Sequence, residues 1–166
     1  IAIILFGAGG ESTSALMGSS IYHLATKSEI QNELRKNNEL IVPFIEEVIR
    51  MFPPFRFHYR HVNSDCFLGG YPLVSGEKLL LSWDSANRDE NQFDNPNEFS
   101  LKRKKPKNHM GFGRGAHFCI GATLARLEVK IFIETLLESF DQFKLKNEPC
   151  YLNSIFVRRF TSLEIE

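Results

Sequence analysis

The chain has no long apolar run: its opening stretch, Ile1 to Phe6, is six residues, lacks a basic flank and gives way to glycines. Such a stretch is neither a signal peptide nor a membrane span, both of which need longer apolar segments. Cysteine is scarce. Cys66, Cys119 and Cys150 are odd in number, widely spaced and never in a CxxC pair, which reads as a reducing compartment with at least one free thiol. Neither sign of charge is in excess: 20 Lys plus Arg balance 20 Asp plus Glu, which argues against a surface built wholly for nucleic acid or anionic membrane. Internal repeats and low-complexity linkers are also missing. What remains is a chain of 166 residues, 43% hydrophobic, large enough for one compact core. It opens on Ile inside an apolar helical pattern, so it reads as a fragment whose upstream half would cover that helix.

From Ile1 to about Ala25, Ile4, Leu5, Ala8, Ala15, Leu16 and Leu24 recur at helical spacing around the small-residue patch Gly7 to Gly10. Glycines followed by Glu11, Ser12 and Thr13 predict a weak point where the backbone loosens into a groove; close helix packing is the other reading. Ser28 to Asn37 and Ile41 to Met51 read as two further helices, the second stopped by Pro53 and Pro54. Between Phe55 and Leu81, Gly69, Gly70, Pro72 and Gly76 punctuate short apolar or mixed runs, the pattern of a small sheet with tight turns. Ser82 to His109 is a long irregular connection, unusual unless it serves a site. Ile120 to Phe140 carries Leu124, Leu127, Ile131, Phe132, Leu136, Leu137 and Phe140 on a broad apolar helix face, and the tail from Phe143 reads as strands. The fold class is mainly α with small β-sheets, α+β.

The segment richest in chemistry is Phe112-Gly113-Arg114-Gly115-Ala116-His117-Phe118-Cys119-Ile120-Gly121, which sets one thiol just ahead of the last helix. A helix N-terminus offers free N–H donors and the positive end of the dipole, both of which favour a metal-binding thiolate. Gly113, Gly115 and Gly121 would let the backbone approach a flat ligand and point amides at the sulfur. Gly111 to Ala116 also fits a loose GxGxxA dinucleotide fingerprint, but Lys104 to His109 is charged and proline-broken and cannot be the buried strand that fingerprint needs. Catalysis by Cys119 with His117 as base is weaker still, because such close neighbours rarely meet as nucleophile and base.

The same loop, with Gly121, Leu124, Ala125 and Arg126 after it, resembles the haem-binding signature of the cytochrome P450 family, FGxGxHxC followed by GxxLAR. The resemblance extends over essentially the whole chain. Glu47-Val48-Ile49-Arg50 is similar to the family's ExxR helix motif with its double proline, and Arg103 stands where the family places the arginine that buries this pair. Ala8-Gly9-Gly10-Glu11-Ser12-Thr13 resembles the oxygen-activating groove, with Ser12 at the usual threonine position. The resemblance implies that Cys119 is the axial ligand to the iron of haem b (iron protoporphyrin IX), that His117 and Arg60 meet its propionates, and that Phe112, Gly113 and Gly121 shape the loop beneath it. It further implies proton delivery through Glu11, Ser12 and Thr13, and a structural lock of Glu47, Arg50 and Arg103. Arg88 and His109 are expected as structural contacts.

By that resemblance residues 1–166 are the C-terminal part of the cytochrome P450 fold. The implied activity is oxygen-dependent hydroxylation of a small organic substrate by a cytoplasmic monooxygenase. No flavin or nicotinamide motif is present, so the electrons would come from a ferredoxin or flavodoxin with its NAD(P)H-dependent reductase. Lys102, Arg103, Lys104, Lys105, Lys107 and Arg114 are either a steering patch for that acidic partner or a solvated loop. No aromatics interleave with them, which disfavours nucleic acid. Two alternatives stay open: a non-catalytic haem-thiolate sensor, favoured by Ser12, and a haem-free interaction domain. The isolated fragment is expected to hold haem weakly or to aggregate.

Overall fold

The computed structural model describes residues 2–166. Ile1, which begins the expected first helix, lies outside them. Helix α1 (Ala2–Thr26) is followed by α2 (Ser28–Lys36), a 3-10 turn (Asn38–Leu40) and α3 (Ile41–Met51). Strands β1 (Phe57–His61), β2 (Cys66–Leu68), β3 (Tyr71–Leu73) and β4 (Lys78–Ser82) come next, then the short α4 (Trp83–Ala86). After a long irregular stretch, α5 (Ala122–Ser139) precedes β5 (Cys150–Tyr151) and β6 (Phe160–Ser162). The protein is thus mainly helical with small antiparallel sheets, as expected from sequence.

The core is built where α1, α2, α3 and α5 converge, from Leu16, Leu24, Leu34, Phe44, Ile45, Val48, Ile49, Val129 and Ile133. Helix α3 is buried on nearly every side, Glu46, Glu47 and Arg50 included. A helix so enclosed can keep charged groups only if each finds a partner. It ends at Phe52, whose N–H still bonds Val48 at 2.7 Å before Pro53 and Pro54 stop the ladder.

Two expectations are modified. Helix α1 runs unbroken through its glycines, and nothing lies within 4 Å of where a Cβ would sit on Gly7, Gly9 or Gly10. The glycine patch therefore neither interrupts the helix nor packs against another element of this chain. The broad apolar face of α5 is also only partly used: it packs on α1 and α3 through Val129, Ile133 and Leu137, while Leu124, Leu127 and Ile131 are more than half exposed. One helix can bury only the stripe that meets its neighbours.

The expected small sheet is two separate ladders. β1 pairs β4 from Phe57 opposite Ser82 to His61 opposite Lys78, and the β2–β3 hairpin turns between them at Gly69 and Gly70, both at positive φ. The tail forms the β5–β6 pair and returns to the double proline, where Arg158 N–H bonds Pro54 O at 2.8 Å. Among the described residues, no helix is long and apolar enough to cross a membrane.

Candidate functional site: the cysteine loop and its buried supports

The irregular stretch between α4 and α5 is held by one carboxylate. Glu47 accepts from Arg50 Nε and Nη2, both at 2.8 Å, and from Arg103 Nε at 3.0 Å and Nη2 at 3.0 Å. It also accepts from the Ser100 amide at 3.0 Å. The two arginines spend their remaining N–H groups on carbonyls of that stretch: Arg50 on Asn87, Pro96 and Glu98, Arg103 on Asp94 and Glu98. The loop can therefore bury polar backbone without a ladder of its own. Burial pushes the Glu47 carboxyl up, but the hydrogen bonds from Arg50 and Arg103 outweigh it and leave it below its ordinary value.

The next segment carries the thiol. Met110 O accepts the Gly113 N–H at 2.8 Å, and Phe112 O accepts the Cys119 N–H at 2.9 Å, closing Gly113 to Phe118 into a tight loop. Gly113 and Gly115 sit at φ of 69° and 70°, a region that L side chains avoid, so glycine is required at both. Gly121 has an ordinary φ of −84°, and a Cβ there would lie 3.9 Å from Cys119 Sγ. The thiol is exposed just before α5, next to the exposed side chains of Phe118 and Ile120. Neither the Ile120 nor the Gly121 amide donates to a backbone carbonyl among the described residues, so both stay free for an acceptor beside the sulfur.

Sequence reasoning missed Glu46. It is fully buried and accepts from Arg126 of α5 twice, at 2.6 Å on Oε1 and 3.0 Å on Oε2, while Oε2 also receives His109 Nε2 at 2.9 Å. Burial raises its carboxyl, and the bonds from His109 and Arg126 more than reverse that. The available signal was two adjacent acids inside an apolar helix. Consecutive helical residues point roughly 100° apart, so both cannot serve one partner.

The remaining expected site residues are dispersed. Glu11 is about half exposed on α1 with Arg159 Nε 3.6 Å from Oε1, and the Ser12 hydroxyl donates to Ala8 O at 2.7 Å. Thr13 is buried one residue on. Arg60 is exposed on β1 and donates to its neighbour Tyr59 O; His117 is exposed at the end of the 3-10 turn Gly115–His117. Arg88 does act as a structural contact, donating to Met51 O at 2.8 Å.

The donor set tests what metal this site can take. Among the described residues, no three His, Cys, Asp or Glu side chains gather as a metal-binding group. A lone exposed thiol can hold a metal only if the metal brings its other ligands, as iron in a macrocycle does. The residues present fit a haem.

Fold and site together define a protein with one cysteine loop seated ahead of a long helix and an ExxR knot beneath it. The profile of the family described as Cytochrome P450 matches residues 1–158. The chain is 49% identical over 163 residues to cytochrome P450 144 of Mycobacterium tuberculosis, covering 98% of this chain and 38% of that protein. It is 38% identical over 151 residues to cytochrome P450-terp of a Pseudomonas species, covering 90% of this chain and 35% of that one. Among solved structures, CYP109E1 of Bacillus megaterium in complex with corticosterone superposes with a TM-score of 0.94 at 37% identity, over 99% of this chain and 45% of that one. Substrate-free CYP150A6 of Mycobacterium marinum gives 0.96 at 32%, over 99% and 43%. The chain spans less than half the length of these relatives. It belongs to the cytochrome P450 family.

Proposed function

We propose that this chain is the haem-ligating C-terminal portion of a single P450 haem domain in a monooxygenase that hydroxylates a small organic substrate with O2. The observation that carries the reading is the exposed Cys119 thiol, closed into its loop by the Phe112 carbonyl and flanked by two free amides at the start of α5. When bound, haem b supplies oxygen activation, and a thiolate ligand favours O–O cleavage.

The residues of this chain do the rest. Cys119 ligates; the Ile120 and Gly121 amides neutralise part of the thiolate charge; Phe112, Gly113 and Gly121 keep the loop flat. His117 and Arg60, both exposed cations or donors, bind the propionates. Glu11, Ser12 and Thr13 on α1 pass protons toward the oxygen side, with Ser12 supplying the hydroxyl. Glu47, Arg50 and Arg103 lock the irregular stretch below the loop.

Electrons come from a ferredoxin or flavodoxin with its NAD(P)H-dependent reductase. Lys102, Lys104, Lys105, Lys107 and Arg114 are exposed near the loop and free to steer an acidic partner. Arg103 is not part of that patch, because Glu47 takes its guanidinium. The setting is cytoplasmic. The chain alone is inactive: α1 exposes Ile3, Ile4 and Phe6, and the relatives are more than twice as long.

The test is optical. The full protein, expressed with ample haem precursor, is expected to show the red-shifted Soret band of thiolate ligation when reduced under carbon monoxide, and Cys119→Ala to lose it. A colourless protein, or a band that survives in Cys119→Ala, overturns the reading.

A further inference from the structure

Two stretches of chain run into and out of the cysteine loop, and one buried carboxylate grips both. On the incoming side, His109 Nδ1 accepts the Gly111 N–H at 3.1 Å. A ring nitrogen that accepts carries no proton, so the ring hydrogen sits on Nε2 and is donated to Glu46 Oε2. The neighbouring Met110 N–H is held by Asn87 Oδ1 at 2.6 Å, so three successive residues ahead of the loop are fixed. On the outgoing side, Arg126 reaches back from the second turn of α5 to fork both oxygens of Glu46. Its guanidinium also lies over the Phe112 ring, 4.5 Å from the centroid. Phe112 in turn accepts the Cys119 amide.

The path from Glu46 to Cys119 therefore runs through three hydrogen bonds on one side, at His109, at the Gly111 amide and at the Phe112 carbonyl, and through the first two turns of α5 on the other. We infer that Glu46, His109 and Arg126 form a positioning clamp that fixes Cys119 Sγ relative to α5 and so governs how firmly the thiolate stays on its metal. The inference rests on the proposed haem ligation. It assigns to Glu46 a role separate from that of Glu47, whose bonds go to the irregular stretch and not to the loop.

Physical reasons favour positioning over bulk support. His109 and Glu46 are almost wholly buried, yet the His109 ring touches the loop backbone itself, at an amide two residues away. The fork is directional: an arginine restrains rotation of the carboxylate, which a single lysine contact would not. Outer partners of metal ligands act in this way, orienting the ligand without touching the metal.

The experiment follows the reduced carbon monoxide complex of the haem-loaded full protein and the rate at which its thiolate band converts to the blue-shifted form. His109→Phe keeps an aromatic ring and removes both hydrogen bonds. It should convert at least about tenfold faster than wild type, as outer-partner losses do. His109→Gln, which keeps a donor and an acceptor on one side chain, should recover most of the difference. Leu34→Ala, in the core away from the loop, lowers stability and should leave the conversion rate within about threefold. A wild-type rate in His109→Phe, or equal acceleration in Leu34→Ala, overturns the clamp. Absence of the thiolate band in wild type would instead overturn the haem reading.

Discussion

Glu46 and Glu47 are consecutive, fully buried, and turned into different networks: Glu46 meets His109 and Arg126, Glu47 meets Arg50 and Arg103. The helical angle between neighbours separates them, so α3 splits its two negative charges between the cysteine loop and the stretch that leads to it.

The two carboxylates should differ in what their loss does. Arg50 is fully buried and Arg103 nearly so, and neither can regain water when Glu47 is neutralised. Glu47→Gln is expected to destabilise the haem-loaded protein by roughly 3–5 kcal/mol, as removal of one partner from a buried ion pair does. Arg126 is 23% exposed and can regain water, so Glu46→Gln should lose less, about 1–3 kcal/mol. Denaturant titration of both variants checks the order; the reverse order would show that the exposure of the partner does not decide the penalty.

Much of this was legible from sequence where spacing alone carries geometry. Glu47 and Arg50 are three apart on a helix, and Arg103 was placed with them by family resemblance; all three meet. Glu46 was not legible in that way, because its partners lie 63 and 80 residues downstream and only the packing of α5 and of the irregular stretch on α3 brings them in. The same limit explains α1 and α5. Helical periodicity reveals an apolar face, but it does not tell which part of that face meets a neighbour, and Leu124 and Leu127 remain exposed here. The glycine patch was expected to be a weak point within one long helix, and the helix is there: low helix propensity weakens a helix without ending it, and α1 continues through Gly7 to Gly10.

Gly111 gives a sharp steric prediction. A Cβ there would sit 2.4 Å from Ile49 Cγ2 and 3.2 Å from the Ile49 carbonyl, and Ile49 is itself fully packed. Gly111→Ala must push α3 and the loop apart, with a penalty of about 1–3 kcal/mol. Thermal unfolding should show the loss. Gly7→Ala, with open space around it, should by contrast stabilise α1 by roughly 0.5–1 kcal/mol.

Ser12 separates folding from function. Its hydroxyl donates to the carbonyl four residues back, a bond that adds little to helix stability. Ser12→Ala should therefore leave the unfolding transition unchanged. If the hydroxyl delivers protons, the same variant should form at least about tenfold less product per NAD(P)H consumed. An unchanged ratio would remove Ser12 from the proton path, and attention would pass to Thr13.

The pH dependence of stability should have histidine and carboxylate sources with separate windows, the histidine part shared by His23 and by His58, which burial and the Arg60 charge also lower. His23 stacks on Phe99 with ring centroids 3.9 Å apart, between Phe44 and Phe52, and its Nε2 has no hydrogen-bond partner. Burial, helped by the Lys27 charge, lowers it from 6.5 to about 4. Between those values the unfolded chain binds a proton that the folded protein refuses, so stability falls as pH drops from about 6.5 to about 4. The full drop corresponds to about 3 kcal/mol. Glu46 and Glu47 lie below their ordinary value of 4.5, so their contribution is complete above that pH and is lost only below it. His23→Phe should reduce the slope of the unfolding free energy between pH 4.5 and 6.5 to the part that His58 supplies, and leave the steeper fall under pH 4.5 in place. Glu47→Gln should do the opposite, keeping the upper slope and weakening the lower one. If His23→Phe leaves the upper slope intact, the ring is not held neutral by its aromatic cage, and the slope belongs to another histidine.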